Sequence, residues 1–137
     1  MSTKEWLMRA WKIDNEIATL EKELTLAKER AMSVTSHISD VKVQTSGRNS
    51  TENAIHKYIE YQEKLNKRLD KLFEVKNEII DVIARVDNTD YRTLLELRYL
   101  RFMTWEKIAR ELHLDLRYVY RLHGAALNSV EYDSVTF

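Results

Sequence analysis

Two arginines and two tyrosines lie close together near the C-terminus, in a stretch whose spacing predicts a helix. Arg117 and Arg121 are four residues apart and therefore share one helical face, with Tyr118 and Tyr120 beside them. A guanidinium can donate two hydrogen bonds to a guanine edge, and a tyrosine hydroxyl can reach a phosphate oxygen. This group predicts contact with double-stranded DNA. For the tyrosines, packing inside the protein, against the hairpin of long helices that precedes this stretch, is an equally good interpretation, because aromatic side chains are often buried.

Lys107 and His123 are the two other candidates for DNA contact. Lys107 lies in the preceding predicted helix and supplies a cation, while His123 is interpreted as a phosphate-facing or solvated residue. The predicted DNA-binding set is therefore Arg117, Tyr118, Tyr120, Arg121, Lys107 and His123.

Residues that perform catalysis or bind metals are absent or scattered. The chain has no cysteine, and none of its four histidines lies four residues from another. Gly47 stands alone, so no glycine-rich phosphate loop is present. The carboxylates alternate with cations, as on solvated helical faces. We therefore expect no enzymatic activity, no metal site and no cofactor.

The elements that position the arginines follow a helix-turn-helix spacing. Ala109 is small at the predicted point of closest approach between the two helices, and His113 with Leu114 can form the turn between them. A third helix near Asp90 to Phe102 completes the unit, with Thr104 and Asp115 as caps of the following two helices. The predicted buried set is Leu94, Leu97, Leu100, Trp105, Ile108, Ala109, Leu112, Leu114, Val119, Leu122 and Leu127.

Two long helical patterns precede this unit. Apolar residues from Ile13 to Val41 alternate in steps of four and three, and a second apolar run extends from Ile55 to Val86. The first helix should begin near residue 3 with Ser2 as its cap, and the polar stretch Gln44–Thr51 should separate the two helices, with Ser50 or Thr51 capping the second.

These patterns predict an all-α fold, in which a long N-terminal antiparallel hairpin of coiled-coil type precedes a three-helix helix-turn-helix unit. The predicted domains are residues 1–88 for oligomerisation or partner docking, 89–128 for the helix-turn-helix, and a tail, 129–137, that is mobile or lies along the surface. A purely structural hairpin remains the simpler interpretation of residues 1–88. The predicted oligomer or partner interface comprises Ile13, Ile17, Leu20, Leu24, Leu65, Leu69 and Leu72.

Charge and composition limit the partners. The chain balances 22 basic against 22 acidic residues, and residues 90–127, which contain the predicted helix-turn-helix, have a surplus of only two basic residues. Nonspecific DNA affinity comes mainly from neutralised phosphates, so a DNA-binding role requires a second copy or a partner, and a homodimer is expected. The absence of cysteine, of a signal core and of a long apolar run predicts a cytoplasmic protein with no membrane association.

Part of the C-terminal third resembles region 4 of sigma-70-type factors, the module that reads the promoter −35 element. The resemblance lies in Leu97-Arg-Tyr, Thr104-Trp-Glu-Lys-Ile-Ala and the stretch from His113 to Leu127, where the helix pair aligns without a gap. The whole chain resembles a family of small phage and prophage proteins of unassigned function from Gram-positive bacteria. Their ending Arg-Leu-His-Gly-x-Ala-Leu is here Arg121 to Leu127.

This resemblance implies DNA recognition by the second helix, with departures. His113 stands where sigma factors usually have a small residue, and Leu116, Tyr118 and Tyr120 stand where they present arginine. Base readout should therefore differ from theirs.

Three functions follow as expectations. The first is a phage-type transcription regulator that binds DNA in a bacterial host cell, while the hairpin dimerises or docks on a partner such as host RNA polymerase. The second is a protein-interaction module that binds polymerase or another host protein without reading DNA. The third is a phage DNA-packaging small subunit, which would assemble into rings of many copies.

Overall fold

A computed structural model describes the backbone of residues 1–40 and 45–132, and the side chains of residues 1–33 and 50–132. Every regular element in these ranges is helical, which confirms the predicted all-α class. The elements are α1 (Thr3–Leu7), α2 (Arg9–Asp40), α3 (Thr45–Ala84), α4 (Thr89–Leu95), a π-helical segment (Glu96–Leu100), α5 (Trp105–Leu112) and α6 (Leu116–Asn128). Among the described residues, no helix is long and apolar enough to cross a membrane.

The chain divides into two compact units, and the division does not follow the predicted boundary at residue 88. One unit, here called the recognition unit, contains Met1–Ile13 and Leu72–Phe137. The other, the hairpin unit, is Asp14–Lys71. Both ends of the predicted hairpin therefore belong with the C-terminal helices, because their apolar residues pack in the same core.

Within the hairpin unit, α2 and α3 run antiparallel, as predicted. Arg68 Nε lies 2.9 Å from Glu16 Oε2, and Ala27 and Ala54 line one cavity and are both buried. The prediction that Gln44–Thr51 separates the two helices is wrong from Thr45 onward, because these residues belong to α3. α3 begins at Thr45, so neither Ser50 nor Thr51 is its cap, and Gln44 lies outside the described residues.

The core of the recognition unit is built from both ends of the chain. Its fully buried side chains include Leu7, Val75, Ile79, Ile83, Leu94, Leu95, Tyr99, Ile108 and Val119. Burying a large aliphatic side chain of this kind contributes about 1.5–3 kcal/mol. Of the predicted core, Leu94, Leu97, Ile108, Ala109 and Val119 are buried, whereas Leu100, Trp105, Leu112, Leu114, Leu122 and Leu127 are half-buried.

Helix starts are partly as predicted. The Ser2 hydroxyl accepts a hydrogen bond from the Glu5 N–H at 3.1 Å, which confirms the first cap. Asn88 caps α4, and its side-chain oxygen accepts from the Asp90 N–H at 2.9 Å. Asp115 precedes α6 in an extended conformation but makes no capping hydrogen bond, contrary to the prediction.

The third predicted helix ends in a π-helical turn that the sequence analysis missed. The Arg101 N–H donates to the Glu96 carbonyl at 3.1 Å, across five residues instead of four. Leu95 and Tyr99 are buried here. Phe102 then takes a left-handed conformation with φ 58°, which bulky residues rarely adopt.

The C-terminal segment is packed as far as residue 132. Val130 is buried, the Tyr132 ring stacks on Trp6 with centroids 4.9 Å apart, and the Tyr132 hydroxyl donates to the Met1 carbonyl at 2.7 Å. This part of the tail therefore lies along the surface of α1, one of the two predicted alternatives. The rest of the predicted tail, 133–137, lies outside the described residues.

Candidate nucleic-acid interface

A three-residue turn joins α5 to α6 and is closed by backbone hydrogen bonds. Thr104 accepts from the Lys107 N–H at 3.2 Å and so starts α5 as predicted. At the end of α5, His113 adopts φ 57° and ψ 43°, and the Leu114 N–H donates to the Ala109 carbonyl at 2.9 Å. This is the pattern that commonly ends a helix with a left-handed residue, and histidine tolerates that conformation better than most side chains.

α6 has one buried face and one exposed face. Val119, His123 and Ala126 are buried and lie four and three residues apart, as expected for one side of a helix. The exposed side carries four of the predicted DNA contacts, namely Arg117, Tyr118, Tyr120 and Arg121. Arg117 and Arg121, which are four residues apart, therefore share one helical face, and that face is exposed. Gly124 is exposed as well, seven residues from Arg117, and a Cβ at this position would meet no atom within 4 Å.

The two tyrosines lie at the surface, so the interpretation that packs them inside the protein is wrong. Tyr118 is 46% exposed and Tyr120 is 48% exposed. The Arg121 guanidinium lies 5.9 Å from the centre of the Tyr118 ring. The Trp105 ring meets Tyr120 edge-on, with centroids 5.7 Å apart. Both tyrosines are thus held against neighbours while their hydroxyl-bearing rings remain accessible.

Trp105 connects the exposed face to the protein beneath it. The Arg98 guanidinium lies 4.3 Å from the centre of the Trp105 ring, and Arg98 Nη1 donates to the Met103 carbonyl at 2.9 Å. On another side, the Trp105 ring lies 4.4 Å from the His123 ring. Cation–π and aromatic contacts of this kind restrict the side chains involved. The ring that touches Tyr120 is therefore fixed by contacts on two further sides.

His123 is not a DNA contact, which corrects the prediction. Its side chain is buried, and its Nε2 is hydrogen-bonded to the Tyr99 hydroxyl at 2.6 Å. The pKa of His123 is lowered to about 4, mainly by burial and in addition by the positive charges of Lys4 and Arg98. Burial also raises the pKa of Tyr99 to about 12. The pair is therefore neutral at physiological pH and belongs to the core of the recognition unit.

Lys107 is exposed on α5, as a DNA contact must be, and it has two cationic neighbours in the sequence. Arg110 on the same helix and Arg101 before it are also exposed. Neither arginine is in the predicted DNA-binding set, although both contribute to the small basic surplus of residues 90–127. Together with Arg117 and Arg121 they form the exposed cations of the segment from 101 to 121.

Only part of the predicted oligomer or partner interface on the long helices is accessible at the surface. Ile13 and Ile17 are buried within the chain, so the periodicity that marked them as an intermolecular interface describes packing between α2 and its own neighbours. Leu20, Leu24, Leu65 and Leu72 are half-buried, and Leu69 is 43% exposed. Ile55 and Ile59 of the hairpin unit, which are not among the predicted interface residues, are also exposed.

The described residues contain no group of three or more histidines or carboxylates positioned to hold a metal ion.

Comparison with known proteins gives one family. A family model described as protein of unknown function (DUF1492) matches residues 32–131, well over half of the chain. Neither the curated proteins nor the solved structures contain a match.

Proposed function

The chain belongs to this family of unknown function, and from its geometry we propose that it is a DNA-binding transcription regulator with α6 as its recognition helix. One observation supports the proposal above the others. Arg117 and Arg121 are exposed together on α6, with Tyr118 and Tyr120 between them, while the other side of the helix is anchored in the core. A helix presented in this way can enter the major groove.

The dimensions of α6 suit this role. Its 13 residues span roughly 20 Å, and its first turns carry the arginines, as in the helices that read base edges with their N-terminal residues. Arg117 and Arg121 would contact guanines or phosphates, the tyrosine hydroxyls and Lys107 would contact phosphates, and Gly124 would let the DNA backbone approach closely.

A second copy or a partner would add the affinity that one copy lacks, since the whole chain is electrically neutral. We propose a homodimer, with host RNA polymerase as a further partner, acting in the cytoplasm of a bacterial cell that carries a phage or prophage. For dimerisation, the accessible apolar residues Ile55, Ile59 and Leu69 are better candidates than the buried Ile13 and Ile17.

Selection from a randomised duplex library, followed by gel shifts on the enriched sequence, tests DNA recognition. Each bidentate arginine–guanine contact contributes about 1–3 kcal/mol, so Arg117→Ala with Arg121→Ala should weaken binding at least about 30-fold. The control replaces Arg30 and Arg85, which are exposed outside α5 and α6, with alanine and loses the same charge. An unenriched library, or equal losses in both double variants, contradicts the proposal.

The second candidate function is binding to polymerase or another host protein without DNA readout. The exposure of Tyr118 and Tyr120 favours it, because tyrosine is enriched in protein interfaces. A gel shift combined with a pull-down from host lysate separates the two functions, and replacing both tyrosines with serine tests their part in protein binding. Loss of polymerase recovery in a pull-down, in a protein whose wild-type form shifts no DNA, supports this candidate against the first.

A further inference from the structure

The hairpin unit contains a groove lined mainly by cations. It has a volume of about 700 Å³, within the range of small-ligand and peptide pockets. Its lining consists of Glu16, Thr19 and Leu20 from α2, and Lys64, Lys67, Arg68 and Lys71 from α3. The four cations lie at spacings of three, one and three residues, so they share one side of α3.

The groove exists because an arginine occupies a position that the heptad pattern reserves for an apolar side chain. Tyr61 and Leu65 precede Arg68 by seven and three residues, and both are half-buried. Arg68 cannot bury its charge there without cost, so its side chain is 46% exposed and pairs with Glu16 at 2.9 Å. Without an apolar side chain at this position, Leu20 is left half-buried as the apolar part of the groove.

The charges of the groove favour an anionic ligand. Glu16 offsets Arg68, and the remaining charged residues of the lining are Lys64, Lys67 and Lys71. The Lys64 ammonium also lies 5.6 Å from the centre of the Tyr61 ring, a contact that holds it near the groove. A partner would therefore meet the ammonium groups of Lys64 and Lys67 beside the apolar surface of Leu20.

We propose that this groove docks an acidic segment of a partner protein, with an apolar side chain on Leu20 and carboxylates on Lys64 and Lys67. Such a segment would contact both the apolar part of the groove and its cations. The DNA backbone presents phosphates and sugars but no projecting apolar side chain, so it would cover the surface around Leu20 poorly. The inference rests on the part of the proposed function that includes a protein partner besides DNA, and it is independent of DNA contact by α6.

Fluorescence anisotropy with the full chain tests this. The probe is a labelled helical peptide of about 15 residues with glutamates on one face and leucines on the other, compared with an analogue that has serine at each leucine. Lys64→Glu with Lys67→Glu should weaken binding about tenfold or more. The control, Lys22→Glu with Lys28→Glu, makes the same charge change at exposed positions of α2 outside the groove and should bind like wild type.

A further variant separates groove occupancy from charge. Thr19 is exposed and lines the groove, so Thr19→Arg fills it while adding a positive charge, and it should still weaken binding. Far-UV circular dichroism verifies that each variant is folded.

The proposal is overturned if the leucine-bearing peptide shows no saturable binding at low salt, or if the serine analogue binds as tightly. Equal losses in the Lys64/Lys67 and Lys22/Lys28 variants, or unchanged binding by Thr19→Arg, also overturn it. A duplex that competes as well as the peptide would reassign the groove to nucleic acid. Peptide binding should survive Arg117→Ala with Arg121→Ala, so failure of DNA recognition and failure of the groove give different results.

Discussion

Acidification should destabilise the recognition unit through His123. The pKa of the buried imidazole is lowered from 6.5 to about 4, mainly by burial. Below pH 6.5, His123 therefore binds a proton in the unfolded chain, whereas in the folded chain it stays neutral down to about pH 4. The free energy of unfolding is consequently highest above pH 6.5 and falls as the pH drops between these two values.

The size of the loss follows from the shift. The shift of the His123 pKa from 6.5 to about 4 corresponds to at most about 3.4 kcal/mol in the free energy of unfolding. Partial access of water to the ring reduces the expected loss of this free energy to about 2 kcal/mol. Urea unfolding at pH 7 and at pH 5 measures most of it, because carboxylates titrate mainly below pH 5. With a denaturant slope of 1–3 kcal/mol/M, the midpoint should fall by roughly 1 M.

Two variants identify the responsible group. His123→Gln keeps a hydrogen-bonding side chain beside the Tyr99 hydroxyl but does not titrate, so the midpoint should become nearly independent of pH over this range. His113→Asn changes an exposed histidine to a residue that tolerates the left-handed conformation of the turn, and it should keep the pH dependence. A pH-independent wild type, or a His123→Gln variant that is as sensitive as wild type, would refute the burial argument.

Two substitutions should stabilise the protein. Gly124→Ala lies in an exposed part of α6 with open space around the added Cβ, so it should raise the free energy of unfolding by about 1 kcal/mol, seen as a higher melting temperature. A fall in melting temperature would mean that the helix is not continuous there. Arg68→Leu restores an apolar heptad residue in the hairpin unit and leaves Glu16 exposed and readily hydrated. We expect a gain of about 1 kcal/mol in chemical denaturation, and a loss of stability would contradict the heptad register of α3.

Local signals in the sequence were sufficient for several features. Ser2 and Thr104 were predicted as caps, because a hydroxyl before a helical pattern satisfies backbone donors within three residues. The all-α class followed from the helical periodicity, and the antiparallel direction of the long helices followed from the short connection between two apolar patterns of similar length. The exposed face of α6 followed from the spacing of Arg117 and Arg121.

Other features depend on contacts between distant residues and could not be read locally. Periodicity marked Ile13 and Ile17 as apolar positions, but it does not distinguish packing within one chain from packing between chains. His123 was interpreted as phosphate-facing or solvated, because its hydrogen-bond partner Tyr99 lies in a π-helical turn that has no clear sequence signal. The polar stretch before Thr51 contains a glycine and several cap-forming residues, yet α3 already begins at Thr45.

The most direct test of DNA recognition by α6 is a nuclear magnetic resonance titration of isotope-labelled protein with the duplex selected from the library. If α6 reads DNA, the largest amide shift changes should fall in residues 116–124, with smaller changes near Lys107 and Arg110. Shift changes confined to the hairpin unit, or none at concentrations where the duplex is in excess, would contradict it.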